Sequence, residues 1–94
     1  MYARATTLRG SPDHVQEEID HYQEGIPSVR KVPGNRGAFL LVDRSAGRGI
    51  SVMLWGSEEA MQASRKRADE LRQQAQGPGV DSIDEYEVAV WAVG

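Results

Sequence analysis

Cysteine is absent from the 94-residue chain, which removes disulfides, thiolate chemistry and cysteine-based zinc or iron–sulfur sites, and fits an intracellular protein. Histidine is scarce: there are two, and none follows residue 21. Any metal hypothesis therefore rests on His14 and His21. Long apolar runs are missing as well, because the longest, Ala38 to Val42, is far short of a membrane span, and no charged-then-apolar leader opens the chain. A soluble, cytoplasmic protein is expected. Positive charge is not in excess: the net charge is -3, and the one basic cluster, Arg65-Lys66-Arg67, is followed by Asp69 and Glu70. Neither nucleic acid nor a membrane is expected as a partner. No internal repeat or low-complexity tract appears, and a chain of this length makes one domain, 1–94, burying roughly 65% of its unfolded surface.

What is present is organised around Gly37 to Trp55. Two short apolar runs, Ala38-Phe39-Leu40-Leu41-Val42 and Ile50-Ser51-Val52-Met53-Leu54-Trp55, flank a polar loop, Arg44 to Gly49, with two glycines. That pattern predicts an antiparallel hairpin. Alternation puts Phe39 and Leu41 on one face and Ala38, Leu40 and Val42 on the other, with Ile50, Val52 and Leu54 opposing Met53 and Trp55. Both faces are apolar, so both are expected to be dry. The chain's own helices can cover one of them. The other is expected to meet a second copy, as a homodimer through the open sheet face.

Around the hairpin, Tyr2 to Leu8 reads as a first strand. Ser11-Pro12-Asp13 is a helix start, with a capping hydroxyl, a proline tolerated at the first position and an acid facing the dipole. Val15, Ile19, Tyr22 and Ile26 form one stripe at helical spacing. Gly25 and Pro27 are expected to break that helix, with a further turn or two over Ser28 to Val32 before Pro33-Gly34. Ser57-Glu58-Glu59 opens a second helix whose inward face carries Ala60, Ser64, Ala68, Leu71 and Ala75, and Gly77-Pro78-Gly79 ends it. Ile83 to Val93 reads as a last strand. The order strand, helix, strand, strand, helix, strand is a split βαβ unit, which predicts an α+β, ferredoxin-like βαββαβ fold with both helices on one face of a four-stranded antiparallel sheet.

The Pro33-Gly34 turn leading into Gly37-Ala38-Phe39, and Trp55-Gly56-Ser57-Glu58-Glu59-Ala60 entering the second helix, resemble the dimeric α+β barrel superfamily in its antibiotic-biosynthesis-monooxygenase-like branch. The resemblance spans the whole chain and implies two sheets facing each other as a barrel, with a cavity between each sheet and its helices. It implies cofactor-independent oxygenases acting on aromatic polyketides, or haem-degrading oxygenases. The haem-degrading pattern uses an asparagine on the first strand, a tryptophan within the second helix and a histidine further along it. Here the first strand has no asparagine, Ser64 falls near the tryptophan position, and no histidine follows residue 21. No cofactor is therefore expected, and haem degradation of that type is not.

Several residues carry two readings. Trp55, at the end of a central strand, serves either to stack on an aromatic substrate or as a core residue with its indole proton satisfied. Tyr22, Phe39 and Tyr86 either line an apolar pocket for a small aromatic ligand or pack as core. His14, Glu18 and His21 share a helix flank at spacings of four and three, which suits a metal less well than a solvated surface, and no metal is expected. His21 alone is the candidate general base, since imidazole titrates near neutrality. Arg4 either binds an anionic oxygen or pairs with Glu85 or Glu87. Neither glycine pair, Gly47-Arg48-Gly49 in the hairpin loop nor Gly77-Pro78-Gly79, follows a strand and opens a helix, so neither is a phosphate loop. Two functions stay open: a cofactor-independent monooxygenase acting on a small aromatic, or a non-catalytic dimer that binds a ligand or a protein.

Overall fold

A computed structural model describes residues 1–66 and 79–93. The chain runs β1 (Tyr2–Arg9), a 3-10 turn (Pro12–His14), α1 (Val15–Arg30), β2 (Asn35–Asp43), β3 (Arg48–Trp55), α2 (Glu58–Ala63) and β4 (Gly79–Glu87). The four strands form one antiparallel sheet in the order β2-β3-β1-β4. This is the ferredoxin-like arrangement expected from the order of elements, with α1 and α2 on one face.

Ser11 caps the first helical segment, its hydroxyl accepting from the Asp13 N–H at 3.3 Å. The helix then runs unbroken through Gly25 and Pro27, where the sequence predicts a break. Proline at position 27 removes one i→i−4 hydrogen bond, yet Val29 beyond it is buried, as is Val15 at the other end. Val29 extends the predicted stripe of Val15, Ile19, Tyr22 and Ile26 past Pro27 to the end of α1. Burial of that continuous stripe outweighs the local defect. Backbone bonds from Lys31 to Ser28, from Val32 to Val29 and from Asn35 to Val32 wind the chain down into β2.

Two glycines are required by this route. Gly34 has φ +85°, and a Cβ there would lie 2.4 Å from that of Ala60, so the small-residue start of α2 rests directly on the turn before β2. Gly47, at φ +70°, closes the hairpin turn over residues 44–47 against Ser11 and Pro12, where a Cβ would lie 2.5 Å from the Pro12 nitrogen. Arg48 and Gly49, expected in the loop, already belong to β3.

Two further boundaries differ from expectation. β4 spans Gly79–Glu87, starting before Ile83 and stopping well before Val93. It stops where its neighbour β1 runs out: Glu87 pairs with Tyr2, the last ladder-like bond is from the Val88 N–H to the Met1 carbonyl at 2.9 Å, and among the described residues no strand lies beyond. α2 starts as predicted, with the Ser57 hydroxyl accepting from the Ala60 N–H at 3.1 Å. Ser64 is buried on its inward side, together with Met61, which the small-residue stripe did not include. Ala68, Leu71 and Ala75, and the expected stop at Gly77-Pro78, lie outside the described residues.

The register fixes two sheet faces. Tyr2, Arg4, Thr6 and Leu8 of β1 lie beside Trp55, Met53, Ser51 and Gly49 of β3, under the helices. The other face carries Phe39, Leu41, Ile50 and Tyr86, all exposed. Leu54, by alternation on that second face, is buried.

Candidate functional site

Among the described residues the layer between sheet and helices holds buried polar side chains beside apolar ones. Of the described residues, Val15, Val29, Trp55 and Met61 are its buried apolar residues, while Arg4, Thr6, Ser51 and Ser64 are buried polar ones. All four polar residues lie on the helix side. Buried polar groups must find partners or pay the cost of leaving water, and following those partners maps the site.

At one end, the Ser51 hydroxyl donates to the Tyr22 hydroxyl at 3.1 Å, and Tyr22 donates to the Phe39 carbonyl at 3.1 Å. Tyr22 thus ties α1 to both β2 and β3. Burial raises its phenol above the ordinary value, with the Ser51 hydrogen bond acting in the opposite direction, so it is a neutral hydroxyl near neutrality. Thr6 sits opposite Ser51 on β1 and adds a third hydroxyl side chain.

In the middle is Arg4, 4% exposed. Its Nη1 donates to the Ser64 Oγ at 3.0 Å, its Nη2 to the Met61 carbonyl at 2.7 Å, and its Nε and Nη2 to the Glu85 Oε2 at 3.2 and 3.0 Å. Ser64 in turn donates to the Met61 carbonyl at 2.6 Å, and Arg65 pairs with Glu85. One guanidinium therefore joins β1, β4 and the start of the second crossover. The fork geometry of arginine suits this use, which a lysine point charge would not satisfy. Of the two partners expected for Arg4, Glu85 is the one it takes.

The Glu85 carboxyl is held below its ordinary value of 4.5, first by the Arg65 hydrogen bond and, against the opposing effect of burial, by Arg4. A lowered folded-state value means that its contribution to stability is complete above the ordinary value and is lost as pH falls through the folded one. Asp43, lowered by the Ser45 hydroxyl and the Ala46 N–H, acts in the same direction. The urea midpoint is therefore expected to fall between about pH 5 and pH 3, and Glu85→Gln to make that acid slope shallower. An unaltered slope in the variant would remove Glu85 from the acid response.

At the far end is Trp55, 1% exposed, whose indole Nε1 has no hydrogen-bond partner among the described residues. Its strand position is fixed on both sides, by Tyr2 and by Asn35, and the Asn35 amide donates to the Leu54 and Gly37 carbonyls at 3.3 Å each across the irregularity in β2. From Ser51 to Trp55 the stripe covers about 13 Å along one strand.

Of the residues singled out from sequence, Arg4, Tyr22 and Trp55 are brought to this layer. Phe39 and Tyr86 are on the opposite sheet face, and His21 is exposed on α1. His14 faces Glu17 at 3.3 Å, and among the described residues no three histidine or carboxylate side chains are close enough together to hold a metal. Thr6 and Ser51 are not among the residues singled out, and Ser64 is there only as an inward residue of the second helix. The signal for Thr6 and Ser51 is period-two alternation, which places Arg4, Thr6 and Ser51 on the helix side of β1 and β3.

Residues 1–76 match the family model described as antibiotic biosynthesis monooxygenase. The chain belongs to that family. Two uncharacterised proteins of Mycobacterium tuberculosis are 33% identical over 92 residues and 34% identical over 93, covering 95% and 96% of this chain but 41% and 39% of their own lengths. This chain thus spans about two fifths of the curated relatives it matches. Among solved structures, MhuD of Mycobacterium tuberculosis, a haem degrader with two hemes bound in its active site, is similar at TM-score 0.78 and 23% identity, with 100% of each chain covered. The monooxygenase from the ActVA-Orf6 gene of Streptomyces coelicolor, in complex with Nanaomycin D, is similar at TM-score 0.76 and 18% identity, covering 99% of this chain and 91% of that one. At these identities the similarity is one of fold. Among the described residues no helix of this family member is long and apolar enough to cross a membrane.

Proposed function

We propose that this chain, as one domain over residues 1–94, is a cofactor-independent monooxygenase that takes a small hydroxylated aromatic between the sheet and the helices. The single observation that carries this is the Trp55 indole: a donor 1% exposed and without a partner among the described residues is costly unless an acceptor arrives, and a phenolic or carbonyl oxygen on a planar ring supplies one. Family membership supports the oxygen chemistry. In that chemistry an activated ring methylene loses a proton, its carbanion reduces dioxygen, one oxygen atom becomes a ring carbonyl and the other leaves as water. The substrate supplies all four electrons, so no external reductant is needed.

Trp55 and Tyr22 then act as binding groups, one donating and one bounding the apolar space, while Arg4 holds the two layers at fixed separation. His21, exposed on α1, is given no proton-transfer step. Phe39 and Tyr86 belong instead to a homodimer seam on the open face, where exposed apolar side chains favour a second copy. Lack of cysteine favours a reducing compartment, the cytoplasm.

The exposure of His21 favours one alternative, a dimer that binds the same ligand without turning it over. Oxygen consumption separates the two. With a panel of polycyclic phenols carrying an activated methylene, the chain is expected to accelerate oxygen uptake and quinone formation in equal amounts, with chelator present. Saturable binding without uptake would leave the non-catalytic dimer.

A further inference from the structure

Two hydroxyl side chains lie at the end of the stripe away from Trp55. Thr6 and Ser51 face each other across β1 and β3, 8% and 6% exposed, on the helix side of the two central strands. Cross-strand neighbours of this kind have Cβ atoms about 5 Å apart. A valine at either place would suit the strand as well and bring no polar atom to satisfy. What the two hydroxyls still have to offer follows from their bonds.

The Phe39 carbonyl can only accept, so the single proton of the Tyr22 hydroxyl is committed to it. Ser51 must then be the donor in its bond with Tyr22, at 3.1 Å. Its own proton is spent, and its oxygen, held in place by Tyr22, keeps the capacity to accept. No bond between described residues uses the Thr6 hydroxyl, which keeps a proton to give and lone pairs to fill. Side by side, one fixed acceptor and one free donor match a single chemical group: a hydroxyl, which donates to Ser51 while it accepts from Thr6. A carbonyl or an ether oxygen could take up only Thr6. The Trp55 indole, about 13 Å further along β3, has the opposite character, because it donates and never accepts. Between the two ends, on the same side of the strand, Met53 is only partly buried, and its unbranched thioether adapts readily to a flat ring.

We infer that Thr6 and Ser51 form a second anchor of the ligand site, reading a hydroxyl group at one end of a planar ring system whose other end offers an acceptor oxygen to Trp55. The inference rests on the ligand site proposed above and adds the residues that fix the ligand's direction and length. A ring with one oxygen function satisfies one anchor and leaves the other without a partner. A ring system with oxygens at opposite ends satisfies both. Tyr22 is a positioning residue here, acting through Ser51.

The test is calorimetric titration of the full chain with two ligands. One is 2,6-dihydroxyanthraquinone, which carries hydroxyls at opposite ends of three fused rings, and the other is 2-hydroxyanthraquinone, which lacks one of them. Wild type is expected to bind the first at least about tenfold more tightly than the second. Thr6→Val keeps the shape of the side chain and loses the hydroxyl, and is expected to bring the two affinities within about threefold of each other. Thr6→Ser, which keeps the hydroxyl, is expected to retain the wild-type ratio. Equal binding of the two ligands by wild type, or a ratio in Thr6→Val that matches wild type, would overturn the second anchor and leave the site at Trp55 in place. Binding of neither ligand would overturn the ligand site and the anchor together. The wild-type ratio needs no variant, so it decides the matter should Thr6→Val fail to fold.

Discussion

Replacing Arg4 by alanine is expected to destabilise the domain by about 3 kcal/mol, lowering the urea midpoint by about 2 M. The magnitude follows from what the side chain leaves behind. Ser64, the Met61 carbonyl and one oxygen of Glu85 all accept from Arg4, and Ser64 and Arg4 are themselves buried. Removing the donor leaves the Ser64 oxygen without its donor and the Met61 carbonyl with the Ser64 hydroxyl alone, and a buried polar group that loses its partner costs on the order of 1–3 kcal/mol. Glu85 is less affected, since Arg65 also pairs with it. Arg4→Met, which fills the space with apolar atoms, is expected to recover part of the loss. Arg4→Lys is expected to recover little, because an ammonium cannot serve Ser64, Met61 and Glu85 in one plane. A midpoint for Arg4→Ala within error of wild type would show that the guanidinium is not what joins β1, β4 and α2.

Trp55 gives the second large effect, and its two substitutions part company. Trp55→Ala is expected to cost about 3–5 kcal/mol, because it removes a large side chain that is 1% exposed and leaves a cavity behind. Trp55→Phe keeps much of the ring burial and deletes only the part of the indole that includes the unpartnered N–H. The loss of ring volume and the relief of an unsatisfied donor act in opposite directions, so the urea midpoint is expected to change by less than about 1 kcal/mol in equivalent stability. Binding of a polycyclic phenol, by contrast, is expected to weaken about tenfold, the worth of one hydrogen bond. Near-wild-type stability together with weaker binding is what a ligand-facing donor does. A core tryptophan would lose stability in both variants and change binding in neither.

How far the sequence alone reaches is seen element by element. The hairpin was legible because its information is local: apolar runs, a glycine-containing turn and alternation that gives β2 and β3 their two faces. Capping was legible for the same reason, and both Ser11 and Ser57 cap as predicted. The unbroken α1 was not legible, since Gly25 and Pro27 are local signals for a break and the burial of Val29 that overrides them is tertiary. The end of β4 was not legible either. Val88 to Val93 has strand-favouring composition, but pairing depends on a neighbour, and β1 starts too late to supply one.

The site divides in the same way. Pairing of Arg4 with Glu85 could be read from the expected strand neighbours, whereas the contacts with Ser64 and the Met61 carbonyl depend on how α2 is set down on the sheet. Tyr22 and Trp55 reach the helix side because Tyr22 belongs to the buried stripe of α1 and Trp55 to the helix-side set of β3. Phe39 and Tyr86 share their aromatic character but not their face, and face is a property of register rather than of residue type.

The chain has two tryptophans, and Trp91→Phe leaves Trp55 as the only one. Titrating that variant with polycyclic phenols while following its emission tests most directly whether the sheet-to-helix layer is a ligand site. Saturable quenching of Trp55 at one ligand per chain is the expected result. An emission that stays unchanged across the panel, in a variant that remains folded, would contradict a ligand site at Trp55.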